Sequence, residues 1–324
     1  MSRYNLFIVA GPLHLMNAIE AIHHFETQNN ILLILYTDNK KQLNQMERLL
    51  DFADWDSISY LSLPQKATDK IFFARYVHNK FADISKREID KIFVGEYRSD
   101  HVNHIVNYFN DKDIYLLDDG LAQIDYHKEM SYQPYKVKIR RVIYKMLSYK
   151  LSPIKYTFFT IFDIKNERVI KNEYSFFKKY INKKDREDLV YFIGQPLIEL
   201  GVVSEESYKK EFAKIIRFYK NKKLIYITHR REDESKVKRI SKELGFEYKE
   251  FDNLIELEMI NAKVVPSDFA TFFSTAIVTL PSFIKGSIYR VFKMDDKFIN
   301  KKFIENISES YLEFEKMGLK MELL

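Results

Sequence analysis

Apolar residues in this chain gather in short runs, and between the runs the spacing shifts to the three-and-four rhythm of helices. Leu6–Ala10, Ile31–Tyr36, Ile58–Leu61, Ile92–Gly95 and Ile114–Leu117 read as strands. Leu13–Phe25, Lys41–Phe52, Asp69–Ile84 and His101–Phe109 read as helices. Alternating strand and helix implies right-handed crossovers and a parallel sheet buried on both faces. Residues 128–186 break the rhythm. They are basic and aromatic, with Pro134 and Pro153 as breakers, and are expected to form helical decoration plus the connection to a second domain. There the alternation resumes: strand Val190–Ile193, helix Glu205–Tyr219, strand Leu224–Thr228, helix Glu234–Leu244. Next come Glu247–Phe251, a short helix over Leu254–Ile260, the strand Ala262–Val265 and a helix after Ser274. The tail, Asn300–Met317, reads as a charged amphipathic helix expected to pack back on the first domain. The pattern predicts an α/β chain of two doubly wound domains with parallel sheets facing a central cleft: 1–186, then 187–299, with 300–324 as the returning helix.

Composition agrees with two cores. The chain has 324 residues, 46% of them hydrophobic, and a chain of that length splits into domains. It has no cysteine, which removes disulfide and thiolate chemistry. Met1-Ser2-Arg3-Tyr4-Asn5 runs directly into the first strand with no signal-peptide pattern. No window approaches the roughly 20 apolar residues of a membrane span. The expectation is a cytoplasmic protein. The net charge of +6 is uneven, because residues 128–186 carry 16 Lys/Arg against 5 Asp/Glu. Within them, 136–150 reads as a basic amphipathic helix able to rest on the anionic cytoplasmic face of an inner membrane. An ordinary solvated helix face is the plainer explanation. No nucleic-acid motif accompanies the basic block, so nucleic acid is not an expected partner.

Several chemistries are excluded by what is missing. None of the 8 glycines forms G-x-G-x-x-G or a P-loop, and no G-x-S-x-G elbow occurs. His23-His24 and His101-x-x-His104 lack metal-ligand company and are expected on polar helix faces. The triplets Asp54-Trp55-Asp56 and Asp111-Lys112-Asp113 fall in turns between a helix and a strand, so no metal site is expected.

Polar cargo sits at three strand ends, where α/β proteins bind ligands. Ile114–Leu117 ends in Asp118-Asp119-Gly120; Leu224–Thr228 ends in His229-Arg230-Arg231-Glu232; and Ser274-Thr275 follows Ala262–Val265. Taken singly, these are a turn, a surface loop and a helix cap. Together they supply a base, a hydrogen-bond donor or acid, and an anion cradle. Asp119 is the candidate base, because Gly120 lets the chain turn sharply and expose it. Asp118 would orient the loop or the partner acid, and repulsion between the two acids would raise the pKa of one. His229 could serve a departing phosphate, with Ser274, Thr275 and the N–H groups of the helix beginning there holding its oxygens.

In this order the three motifs resemble those of the bacterial sialyltransferases, most closely the lipooligosaccharide enzymes of glycosyltransferase family 52. Two further stretches are similar to that family: Gly11-Pro12-Leu13-His14-Leu15-Met16-Asn17-Ala18-Ile19-Glu20-Ala21-Ile22 to its opening loop and helix, and Phe192-Ile193-Gly194-Gln195-Pro196-Leu197 to the strand and loop that begin its second domain. The likeness spans roughly residues 5–280. It implies a GT-B fold, a CMP-sialic acid donor, inversion at the anomeric carbon and no required metal or other cofactor. It also implies ribose binding by Glu256 or Glu258, with Glu258 favoured, and substrate contacts from Gly11, His14, Gly120, Gly194, Gln195, Pro196 and Arg230. The family's histidine is usually followed by proline; Arg230 here leaves that backbone freer and adds a charge. The acceptor implied is a terminal galactose-type sugar of a surface glycolipid or capsular polysaccharide, possible on a lipid anchor, and a homodimer is compatible with the aromatic 128–186 region. The same fold could instead use another CMP-nonulosonate or a UDP-sugar, or bind nucleotide and sugar without catalysis. The paired acids argue against the last, since binding alone needs no base.

Overall fold

The computed structural model describes residues 3–37, 39–64, 67–81, 88–109, 111–120, 135–164, 166–181 and 185–323. The chain forms two compact units, Met1–Phe176 and Phe177–Leu324. Each is an α/β body around one wholly parallel sheet.

The first sheet has seven strands in the order β3-β2-β1-β4-β5-β6-β7. They are β1 (Tyr4–Val9), β2 (Asn30–Tyr36), β3 (Ser57–Ser62), β4 (Ile89–Val94), β5 (Asp113–Leu117), β6 (Thr157–Thr160) and β7 (Val169–Lys171). Between them run α1 (Pro12–Phe25), α2 (Lys40–Glu47), α3 (Ala67–Phe81), α4 (Asp100–Val106) and α5 (Tyr135–Met146), and α6 (Ser175–Ile181) follows β7. The run Asn30–Tyr36 is apolar almost throughout because both faces of its strand are covered. On one face Phe7, Phe93 and Tyr115 stand in register on β1, β4 and β5, with Phe7 stacked on Phe93 at 4.5 Å. Phe25 of α1 packs on that row, which seats α1 against the sheet. Leu6, Ile8, Ile92, Val94, Ile114 and Leu116 belong to the opposite core, shared with α3 and α4. Strand side chains alternate between the faces, so each apolar run feeds both cores.

The second sheet has six strands in the order β10-β9-β8-β11-β12-β13. They are β8 (Asp185–Ile193), β9 (Lys223–Ile227), β10 (Glu247–Lys249), β11 (Val264–Thr271), β12 (Ile288–Lys293) and β13 (Lys320–Leu323). Its helices are α7 (Glu205–Phe218), α8 (Glu234–Leu244), α9 (Ile255–Asn261), α10 (Ala276–Phe283) and α11 (Lys301–Lys316). Ser204 and Asp233 cap α7 and α8 by accepting from backbone N–H groups, and Gly245 closes α8 in the left-handed region at φ +72.

Three sequence expectations need correction. Residues 128–186 are not helical decoration alone. Residues 128–134 lie outside the described residues, but 157–160 and 169–171 add two strands to the first sheet. Each offers only a pair of apolar residues, Phe158-Phe159 and Val169-Ile170, too few to stand out as a run. The division falls at Phe176 rather than after 186. β8 starts with the polar Asp185-Arg186-Glu187, which pairs with Val264–Pro266 and carries no apolar signal. The tail is built into the second unit. Its β13 pairs with β12, Phe314 is fully buried, and the Tyr311 hydroxyl accepts from Met294 N at 3.1 Å.

Candidate active site

Both sheets reverse strand order once, at β1/β4 in the first and at β8/β11 in the second. At such a switch point neighbouring connections leave toward opposite faces and open a pocket beyond the strand ends. The residues singled out from sequence cluster at these two places.

In the first unit β1 runs into Gly11 and then α1, β4 ends at Gly95, and β5 ends in the acid pair. His14, on the first turn of α1, lies between them. Its Nδ1 accepts from Ala10 N (3.3 Å), and its Nε2 lies 2.9 Å from Asp119 Oδ1. An N–H directed at Nδ1 requires that nitrogen to be unprotonated, so Nε2 carries the proton and donates to Asp119. Asp119 keeps 32% of its side-chain surface, and Gly120 turns the chain at φ +61, a conformation open to glycine at little cost. His14 is only 6% exposed, so it serves this carboxylate from behind rather than offering a free ring to a ligand.

Gly95 makes that arrangement possible. A methyl group there would lie 2.4 Å from His14 Cγ, a distance real atoms do not tolerate. Gly95→Ala is expected to push His14 off Asp119, costing about 1–3 kcal/mol of stability and most of the turnover. Thermal melts and steady-state kinetics of the purified variant check this.

Asp118 has a different fate. It is fully buried. Its Oδ2 accepts from Ile161 N (2.9 Å) and from the Thr160 hydroxyl, and its carbonyl accepts from Asn17 Nδ2 (3.1 Å). Asn17 is in turn held by Tyr174 and Asn172. Oδ1 has no protein partner among the described residues. Burial pushes the Asp118 carboxyl up to about 7, against the pull of those hydrogen bonds, and repulsion from Asp119 is the least of the causes. The sequence expectation that mutual repulsion splits the pair is therefore corrected: burial does it. Asp118 braces the turn, and Asp119 is the acid left at the rim.

In the second unit β8 is followed by Gly194, β9 by Thr228-His229, and β11 by the turn before Ser274. Gln195 Oε1 accepts from Phe273 N (3.0 Å), and Thr271 Oγ1 donates to Ile193 O (2.9 Å) and accepts from Ser274 N (3.2 Å). These bonds fix the turn that delivers Ser274 and Thr275 to the start of α10. Thr275 caps that helix by position without a side-chain hydrogen bond. Pro196 opens the next turn, accepting from Leu200 N (3.0 Å).

The His229 loop hangs on Glu232. Glu232 accepts from His229 N (2.7 Å) and from Tyr226 OH (2.7 Å), and Tyr226 pairs with Tyr208 at 2.8 Å. Burial raises the Glu232 pKa against those bonds. His229 Nδ1 accepts from Arg231 N (3.1 Å), which leaves its proton on Nε2. Gly194 is the close-approach position here: a Cβ would stand 2.5 Å from Tyr226 Oη and 2.7 Å from Glu232 Oε2. Arg230 is exposed beside the histidine.

Glu256 and Glu258 part company on α9. Glu256 is buried, accepts from Thr279 Oγ1 of α10 at 2.5 Å, and is raised in pKa by burial. It braces two helices. Glu258 accepts from Asn253 N and Nδ2 and keeps partial exposure. Among the described residues no three His, Cys, Asp or Glu side chains come together as a metal site. Trp55, between Asp54 and Asp56, donates to Leu50 O and packs on Phe7. Sequence reasoning missed Gly95, Thr160, Tyr226 and Thr271. A glycine ending an apolar run was the only visible signal among them.

The model of glycosyltransferase family 52 matches residues 56–295. No curated protein matches the chain in sequence. Among solved structures the chain is similar to one described as a UDP-N-acetylglucosamine 2-epimerase from Listeria monocytogenes, with a TM-score of 0.55 and 11% identity over 99% of this chain and 92% of that one. It is similar to the UDP-GlcNAc 2-epimerase of Methanocaldococcus jannaschii (TM-score 0.51, 12% identity, 100% of this chain and 89% of that one). It is also similar to MurG of Acinetobacter baumannii (TM-score 0.50, 8% identity, 99% and 86%). At such identities the likeness shows the fold, a GT-B-like pair of α/β domains.

Proposed function

We propose that this chain, which belongs to glycosyltransferase family 52, is an inverting sialyltransferase. In this reading it moves sialic acid from CMP-sialic acid to a terminal galactose-type sugar of a bacterial surface glycolipid or capsular polysaccharide, and needs no divalent cation. The observation that carries the reading is the rim carboxylate of Asp119, about one-third open after the end of β5, with one oxygen held by His14 Nε2 at 2.9 Å.

The acceptor hydroxyl delivers its proton to Asp119 as its oxygen attacks the anomeric carbon. The bond from that carbon to the phosphate oxygen breaks, and CMP leaves with the electron pair. The new glycosidic bond lies on the face opposite the one CMP left, which is inversion. His14 spends its only N–H on Oδ1, so the second oxygen of Asp119 meets the hydroxyl at a fixed angle.

The leaving phosphate gathers negative charge and needs fixed donors. His229 offers an N–H from Nε2, because Nδ1 is occupied by Arg231 N. The Ser274 and Thr275 hydroxyls and the first N–H groups of α10 offer more, aided by the positive end of that helix. Arg230 adds a cation beside the histidine. Glu258 is the ribose ligand in this reading, since Glu256 is committed to Thr279.

Incubation with CMP-sialic acid, a lactose-type acceptor and EDTA, read by mass spectrometry, tests the proposal. The expected product is the sialylated acceptor, formed at the same rate with and without chelator. Transfer from a UDP-sugar but not from CMP-sialic acid would replace the donor and keep the base. No transfer without added metal would overturn the metal-free chemistry.

A further inference from the structure

Three hydrogen bonds meet at the side chain of Asn17, which is fully buried on α1. They run in one direction. Tyr174 N donates to Asn172 Oδ1 at 3.0 Å, so Nδ2 is the end of Asn172 that turns toward Asn17, and it donates to Asn17 Oδ1 at 3.0 Å. Tyr174 OH donates to the same oxygen at 2.6 Å. With Oδ1 taken by two donors, Asn17 Nδ2 points the other way and donates to the carbonyl of Asp118 at 3.1 Å. Reversing either amide would set N–H against N–H, so both orientations follow from the backbone N–H at the start of the series.

The Asp118 carbonyl belongs to the peptide bond that carries Asp119. Peptide groups are rigid planes, so holding that oxygen fixes the direction in which Asp119 leaves the turn. His14 and Asn17 stand three residues apart on α1 and are neighbours along it. One helix therefore grips the turn twice, by its main chain through Asn17 and by the Asp119 carboxylate through His14 Nε2 at 2.9 Å. The donors that orient Asn17 come from the segment after β7, where the chain leaves the first unit. Farther along α1, Glu20 accepts from Phe176 N at 3.1 Å and His23 stacks on the Phe176 ring at 3.8 Å. Tyr174 is fully buried at φ +47, a left-handed conformation unfavourable for a tyrosine. Strain of that kind persists where surrounding contacts dictate it, and here the Tyr174 hydroxyl is seated on Asn17.

We propose that Asn17 is a positioning residue for the base: by holding the Asp118–Asp119 peptide it sets the angle at which the Asp119 carboxylate meets the acceptor hydroxyl. The inference rests on the reading of Asp119 as base and adds the part that aims it. A hydrogen bond from His14 to one carboxylate oxygen leaves the peptide behind that carboxylate free to tilt. A second hold on the same helix removes the tilt, and a base held by its surroundings loses no orientation when the acceptor arrives. An amide suits the task because it accepts two bonds at one end and donates at the other. Asn17 is sealed from solvent and so acts through the backbone of residue 118, without touching substrate.

Asn17→Ala is expected to lower kcat for transfer from CMP-sialic acid by roughly 10- to 100-fold, the scale of a small misplacement of a reacting group, with CMP affinity within about twofold. Tyr174→Phe keeps the ring and removes one donor to Asn17, and should lower kcat by about 2- to 10-fold. Asn107→Ala is the control. Asn107 is also a buried amide with three hydrogen bonds, but to Asn103 and Ser152, so its loss should lower the melting temperature and leave kcat unchanged. A second measurement needs no turnover. In isotope-labelled histidine NMR spectra the Nε2 proton of His14, identified by its loss in His14→Gln, reports the bond to Asp119. It should shift in Asn17→Ala and Tyr174→Phe and stay in place in Asn107→Ala. An unmoved His14 signal with undiminished kcat in Asn17→Ala would overturn the proposal, and if that variant does not fold, the same result in Tyr174→Phe does so. An equal loss of kcat in Asn107→Ala would reduce the effect to general stability and overturn it too. Asp119→Asn run in parallel separates the failures. Full activity there removes the base and this inference with it, whereas an inactive Asp119→Asn beside a fully active Asn17→Ala removes the positioning role alone.

Discussion

Asp119→Asn is expected to lower turnover by roughly 100-fold to 10,000-fold, the range over which a positioned general base acts, while CMP affinity stays within about twofold. The substitution changes little else. Asparagine has the shape of aspartate, and its carbonyl oxygen can still accept from His14 Nε2 where Asp119 Oδ1 does now at 2.9 Å. Gly120 still turns the chain, and Asp118 still braces it through Ile161 and Thr160. What disappears is the ability to take a proton from the acceptor. Steady-state kinetics beside a calorimetric titration with CMP separate the two effects. A variant that kept most of its turnover would remove Asp119 from the role of base. One that lost CMP binding equally would turn the residue into a nucleotide contact.

His229→Ala should damage both quantities. Loss of one hydrogen bond to a charged group is worth about 1.5–3 kcal/mol, hence about 10- to 100-fold in CMP affinity. Turnover should drop further, by roughly 100- to 1,000-fold, because the phosphate is more negative in the transition state than in the bound donor. The substitution also removes the bond from Arg231 N to the ring, but Glu232 still grips the backbone N–H of residue 229. Parallel titrations with CMP, UDP and GDP read the donor at the same time. CMP affinity equal to that of the unaltered chain would place the imidazole away from the phosphate.

The strands and helices were legible because buried parallel strands write themselves as continuous apolar runs, and Asp118-Asp119-Gly120 stood out because two adjacent carboxylates end such a run abruptly. The division of labour inside the pair was not. It depends on Thr160, the last residue of β6, and Ile161 just after it, and the apolar pair Phe158-Phe159 was too little to announce that strand. The bond between His14 and Asp119 was equally hidden, since it joins the first and fifth strand ends and only the sheet order brings them together. Arg140 and Arg141 looked like surface charge for the same reason. Sequence shows which residues are basic, and only packing shows that Asp100 is underneath them. The tail was misjudged because an amphipathic helix reveals that it has a buried side without naming the surface that buries it. Its partner was β12, which the apolar pattern passed over.

The strand order also governs birth at the ribosome. In each sheet an interior strand is made first: β1 waits for β4, where Phe7 meets Phe93, and β8 waits for β11, where Tyr191 meets Phe269. Until that later partner emerges, one edge of the founding strand stands bare, an invitation to nascent neighbours on the same message. The reversal of strand order that sets the switch point therefore leaves each founding strand half-paired through much of its unit's synthesis.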